Sequence, residues 1–202
     1  MRQKILDESR RLFNLNGYTQ TSQRMISDHL KISPGNLTYH FKRKDDLVKQ
    51  HYEDLVESIS KGIPQPSANL MKTAITGTRT MYQSLFDYRF FMIEFVYFMR
   101  AFPEIGKHFN ELMQIRNTQF GVLFDALRQD GLIIDELQLG HDLELFNLMY
   151  LIGNFWISQE AVTGQLNEQS VQRGVTALQT LLLPYLTDKG VEQFKAVMYG
   201  SV

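Results

Sequence analysis

The sequence predicts an all-α chain in which a small N-terminal head carries a helix-turn-helix and a larger helical body follows. Three observations carry this. Apolar residues recur at helical spacing almost throughout, and no stretch alternates with the period of a strand. Helix caps and breakers fall between the periodic segments. The first fifty residues divide into one long and two short segments, the last two separated by a tight turn.

Arg2–Asn16 reads as the first helix, with Ile5, Leu6, Leu12 and Phe13 on one face and the small Ser9 between them. Gly17 ends it, where a left-handed backbone is cheap. Thr21 or Ser22 can cap the second helix, which runs to about Leu30 with Met25, Ile26 and Leu30 inward. Residues 31–33 form the turn. Ser33 then caps the third helix, with Pro34 at its first position, where the missing N–H costs nothing. That helix ends near Phe41. The fourth, 44–62, connects head to body, and Pro64, Pro66 and Ser67 mark the domain boundary. The head is thus 1–50 and the body 63–202. In the body we expect helices near 67–84, 86–101, 104–130, 140–162, 167–186 and 189–198.

Composition narrows the function classes. The chain is 44% hydrophobic and 21% charged, enough for a sizeable core. It has no cysteine, which removes disulfides, thiolate metal sites and a cysteine nucleophile. No apolar run is as long as a membrane span. Charges interrupt the first apolar pattern, so we expect no signal peptide, no membrane partner and a cytoplasmic protein. His29, His40 and His51 lack a metal-ligand pattern, and His108 and His141 stand apart from any nucleophile. The expectation is a non-enzyme with no cofactor and no metal.

Net charge is −1, but its distribution is uneven. Residues 1–51 hold ten Lys or Arg against five Asp or Glu; the remainder holds eleven against seventeen. A basic head on an acidic body suits one small module that meets phosphates. In the third helix Leu37 and Phe41 face inward, which leaves Gly35, Asn36, Thr38, Tyr39 and His40 outward. These are compact donors and acceptors, with an aromatic able to reach a phosphate or a thymine methyl. Lys42, Arg43 and Lys44 follow at the start of the fourth helix, where free N–H groups and the helix dipole favour an anion. The arrangement points to double-stranded DNA.

The same residues resemble a known family. Ile5-Leu6-Asp7, Leu12-Phe13, Gly17-Tyr18, Thr21-Ser22, Ile26-Ser27 and the run from Ile32 to Leu47, with Gly35-Asn36-Leu37 and Tyr39-His40-Phe41 before Lys44, are similar to the N-terminal domain of TetR-type bacterial regulators. The resemblance spans residues 1–50. It implies that Tyr39, His40 and Lys44 clamp phosphates. It implies that Ser22, Gln23 and Arg24 contact the backbone or, for Arg24, a base. Ser33, Pro34, Gly35, Asn36 and Thr38 would lie at the major groove. Thr38 stands where the family commonly has an aromatic, and Met25 where it commonly has an acid. By the same resemblance the body binds an effector and dimerises. The chain would be a homodimeric repressor released from a palindromic operator by a small, largely apolar effector. The other reading is a family member impaired in DNA binding that acts through a protein partner.

Two features of the body bear on this. Nine aromatics crowd 82–102, and Phe91, Phe95, Phe98 and Phe102 share one helical face. They form either a plain aromatic core or the wall of an effector pocket built from Phe91, Glu94, Phe95, Phe98, Arg116, Phe120, Phe124, Asn154 and Trp156. Val171, Val175, Leu178 and Leu182 make one stripe, joined by Ile152 on the preceding helix. Such stripes suit a dimer interface in a four-helix bundle, or packing within one chain.

Overall fold

The computed structural model describes residues 1–62, 69–135 and 140–200. The proposed boundary at Pro64, Pro66 and Ser67 lies outside the described residues. The described helices are α1 (Arg2–Asn16), α2 (Gln23–Leu30), α3 (Pro34–His40), α4 (Lys44–Gly62), α5 (Leu70–Asp87), α6 (Arg89–Ile93), α7 (Phe95–Ala101), α8 (Pro103–Gln129), α9 (His141–Val162), α10 (Gln169–Leu182) and α11 (Asp188–Tyr199). Among the described residues the only extended pairing is one bridge, Ile133 with Leu186. No described helix is long and apolar enough to cross a membrane.

In the head, Ile5, Leu12, Phe13, Ile26, Leu37 and Leu47 are buried against one another. Ser22 and Ser33 are the caps of α2 and α3, accepting from the Met25 and Asn36 N–H groups. Thr21 turns inward instead and donates to Gly17 O. Gly17 has φ 81° and ψ 159°, an extended positive-φ conformation rather than the left-handed one expected, and still one that suits glycine.

The segment expected as one helix over 86–101 bends twice. Tyr88 and Glu94 both leave helical geometry. Tertiary bonds take up the polar groups beside the bends. Asn14 Oδ1 accepts from Phe90 N–H at 3.0 Å, and Ser158 donates to Met92 O at 2.7 Å. The bends set the short α6–α7 corner against α1.

The stripe on α10 is turned inward. Val171, Val175, Leu178 and Leu182 are buried within the single chain, chiefly against α5 and α9. Gly174 allows this approach: a Cβ there would stand 2.5 Å from Tyr82 Cε1 and 2.9 Å from Trp156 Cδ1. These four residues are therefore not a surface for a partner, which corrects the sequence expectation. Ile152 is half-buried and packs on the same core. An apolar strip is left uncovered on α9, where Leu148, Leu151, Phe155 and Val162 are exposed along one face.

Head and body share a core at one joint. His51 of α4 is buried between Phe13 of α1 and Phe90 of α6, with ring centres 5.9 and 5.7 Å away. Its Nε2 meets the buried Ser9 hydroxyl at 2.8 Å. Burial, helped by the nearby Arg10 charge, lowers its pKa from 6.5 to about 3. Between those values the unfolded chain binds a proton that the folded chain excludes. Stability from this group is therefore full above about pH 6.5 and drains as pH falls towards 3. The expected slope is up to about 1.4 kcal/mol per pH unit. Urea unfolding between pH 7 and 4 should show a shallower pH dependence for His51→Gln than for the wild type; equal slopes would mean that His51 is protonated in the fold.

Candidate nucleic-acid interface

The outer face of α3 is set by what its inner face buries. Leu37 and Phe41 enter the core, so Pro34, Gly35, Asn36 and Thr38 are exposed and Tyr39 is 85% exposed. His40 is half-buried, with its ring edge-on to Tyr39 at 5.2 Å. The Thr38 hydroxyl donates back to Pro34 O and Gly35 O at 3.1 and 3.2 Å. Its proton is thus engaged within the helix, and what it offers outward is a methyl and an acceptor. Asn36 keeps both halves of its amide on the open face.

The start of α2 lies beside this face in sequence and fold. Ser22 and Ser33 use their oxygens as caps, a role that does not engage either hydroxyl proton. Arg24 is extended and exposed, with a loose pairing to Asp28 at 3.8 Å. Gln23 is committed inward: its Nε2 donates to Phe41 O at 2.9 Å and ties α2 to the end of α3.

The start of α4 differs from the sequence expectation. Lys44 Nζ donates to Tyr18 O and Thr21 O, both at 3.0 Å, and lies 3.9 Å from the centre of the Tyr18 ring. Two of its three donors are spent on the head's own backbone, and burial lowers its pKa. Lys44 is a brace for the 18–21 turn rather than an open phosphate clamp. The positive end of α4 is also served from within. Asp46 accepts from Arg43 N–H at 2.9 Å, and Asp45 accepts from the Arg43 guanidinium and from the Tyr18 hydroxyl. The Arg43 guanidinium, then Tyr18, holds the Asp45 carboxyl below its usual range. Lys42 and Arg43 are the exposed cations of this corner, Arg43 being paired with Asp45.

Periodicity could not have revealed the grip on the turn. Tyr18 N–H donates to Glu94 Oε1 at 2.9 Å, so Glu94 holds the head rather than lining a pocket. Asn14 adds a donor to Asp87 O at 2.8 Å.

In the body, a narrow cavity opens between α4 and α5–α9, with about 60 Å³ of interior space, room for a few waters. Phe91, Phe95, Arg116 and Asn154 line it. The other aromatics named from the sequence lie elsewhere. Phe98 stacks behind Phe91 at 4.8 Å. Phe120 and Phe124 stack on each other at 4.1 Å in a second core. Trp156 donates to Ser170 O at 3.1 Å and anchors α9 to α10. Tyr52, Phe109, Met113 and Tyr150 line it as well, outside the pocket set expected from the sequence. Burial pushes the Tyr52 and Tyr150 phenols up to about 12.

With this geometry in hand, comparison with known proteins is direct. Residues 5–50 match the family model of bacterial regulatory proteins of the tetR family. Residues 51–194 match the model described as a bacterial transcriptional repressor of the TetR type. A TetR-family transcriptional regulator from Marinobacter aquaeolei VT8 superposes with a TM-score of 0.86 at 22% identity, covering 100% of this chain and 99% of that one. The ketosteroid transcriptional regulator KstR2 of Mycobacterium tuberculosis has a TM-score of 0.65 at 14% identity, with coverage of 93% and 95%. SmeT, the repressor of a multidrug efflux pump of Stenotrophomonas maltophilia, has a TM-score of 0.64 at 14% identity, with coverage of 93% and 91%. At these identities the likeness concerns the fold. No curated protein matches the chain.

The brace makes a testable statement about Lys44. Lys44→Met should cost about 1–3 kcal/mol of stability, since two buried carbonyls lose a charged donor. Urea unfolding measures this. An unchanged midpoint would show that the ammonium does not hold the turn.

Proposed function

We propose, from the premise that the chain belongs to the TetR family of bacterial transcriptional regulators, that it is a dimeric repressor released from a palindromic operator by a small, largely apolar ligand. Members of this family are DNA-binding regulators rather than enzymes. The observation that carries the finer reading is the outer face of α3: short polar groups stand clear on a helix whose other face is fully committed to the core.

On this reading Asn36 reads a base edge through its amide, and Thr38 meets a thymine methyl. Gly35 lets the backbone come close. Tyr39, His40, the Ser22 and Ser33 hydroxyls, Arg24 and Lys42 serve the phosphates, and Gln23 and Lys44 support them from behind. The second copy docks on the exposed face of α9 through Leu148, Leu151, Phe155 and Val162. α9 is apolar around most of its circumference, which is costly for a helix with one side in water. A two-fold pair would place two α3 helices in successive major grooves, about 34–36 Å apart.

Release requires a link from body to head, and two elements offer one. α4 lines the cavity with Tyr52, Leu55, Val56 and Ile59 and begins at the Lys44 brace. The α6–α7 corner lines it with Phe91 and Phe95 and carries Glu94 to the head. A ligand that wedges these apart would change the setting of α3. Because α6–α7 touches the head directly, α4 is not the sole route.

The test begins with DNA sequences selected by the protein from a random pool. The wild type should bind them far more tightly than random DNA, with affinity falling steeply as salt rises. Asn36→Ala should lose about 1–3 kcal/mol on the preferred sequence and alter which variants bind. Lys42→Ala should weaken all sequences and flatten the salt dependence. Selection that returns no preferred sequence would discard the operator-binding reading and favour a regulator acting through a protein partner.

A further inference from the structure

The cavity walls are mostly apolar and carry one charge. Arg116 of α8 is half-buried at the cavity, and its side-chain bonds go to neutral oxygens, Ser60 Oγ at 2.9 Å and Gln119 Oε1 at 3.0 Å. No carboxylate lies within ion-pair distance of it among the described residues. Of the other partly buried arginines, Arg89 also makes no ion pair among the described residues, but it rests on the Phe86 ring and carbonyl and does not line the cavity. Arg128 pairs with Asp125 and Asp142, and Arg173 pairs with Glu160. Burial lowers the Arg116 pKa, as expected for a cation drawn from water without a counter-charge. A guanidinium stays charged regardless, so the deficit remains until an anion meets it.

The surroundings narrow the anion. The fork of a guanidinium fits a carboxylate in two parallel hydrogen bonds. Arg116 is the only Lys or Arg among the described cavity-lining residues, so one negative charge is matched and a second would not be. Tyr150 and Asn154 add neutral polar groups on the facing helix. The rest is apolar: Phe91, Phe95 and Phe109 give flat walls, with Phe95 edge-on to Phe109 at 5.1 Å. Met92 and Met113 can shift to admit a chain or ring, which the present interior of about 60 Å³ requires.

We propose that the cavity binds an amphipathic monocarboxylate, its anionic head on Arg116 and its apolar body among Phe91, Phe95 and Phe109. This rests on the reading of the cavity as the effector site. It adds the ligand's charge, which the apolar aromatic walls alone would not suggest.

The test uses the full chain and three probes of one body: octanoate, octanamide and octylamine. Calorimetric titration of the wild type should show octanoate binding about tenfold or more tighter than octanamide, since an ionic hydrogen bond replaces a neutral one. Octylamine should bind weakest. Arg116→Gln should bring octanoate down to the affinity of octanamide and leave octanamide where it was. Arg116→Lys should restore part of the preference, which guards against loss through misfolding. Equal binding of acid and amide to the wild type overturns the proposal. So does a preference for the acid that survives Arg116→Gln, or an absence of binding by octanoate up to its solubility. The regulatory reading fails separately. Octanoate that binds through Arg116 and leaves affinity for the selected DNA unchanged keeps the carboxylate site and removes its role in release.

Discussion

The packing of Phe13 and Phe90 around His51 is the contact on which the rest of the molecule depends. It joins α1 of the head, α4 of the connection and α6 of the body in one dry place. Through it a single run of buried residues extends from Ile5 in α1 to Leu178 in α10. The head is therefore not a bead on a string. Its orientation is set where Ser9, Phe13 and Asn14 meet the body, and the outer face of α3 inherits that setting.

The turn at Gly17–Tyr18 is the second place where this control is exerted. Glu94 takes the Tyr18 N–H, Asp45 takes its hydroxyl, and Lys44 covers its ring. One residue of the head thus reports to two of the elements that line the body cavity, α4 and the α6–α7 corner. Any displacement of those walls must be transmitted to, or absorbed by, this turn. Charged groups that look like DNA ligands in the sequence are partly consumed in holding it. The outer face of α3 is left with small neutral groups, and the open cations lie beside it.

The sequence was most informative where the signal is local. Ser22, Ser33 and Pro34 announce the starts of α2 and α3 because capping depends on neighbours within a turn. Leu37 and Phe41 announce the inner face of α3 for the same reason. It was least informative where a residue answers to a distant partner. The bends at Tyr88 and Glu94 exist because Asn14, Tyr18 and Ser158 receive the α6–α7 corner. Lys44 points inward because two carbonyls of the 18–21 turn lie within its reach. The α10 stripe is legible as apolar, but periodicity does not say whether α5 or a second chain covers it. Of the candidate cavity, Arg116 and Asn154 stood out as polar points among aromatics, whereas nothing local to Tyr52 or Tyr150 marks them as lining it.

The central claim is that head and body are one cooperative unit joined at Phe13, His51 and Phe90. Trp156 is the chain's single tryptophan and lies in the body, so its fluorescence follows the body alone. Hydrogen exchange of the α1 amides around Phe13 follows the head. In a urea series both signals should be lost at one midpoint, and Phe13→Leu should lower both together. Loss of α1 protection at a urea concentration where Trp156 is still native would contradict the account and make the head an independent domain.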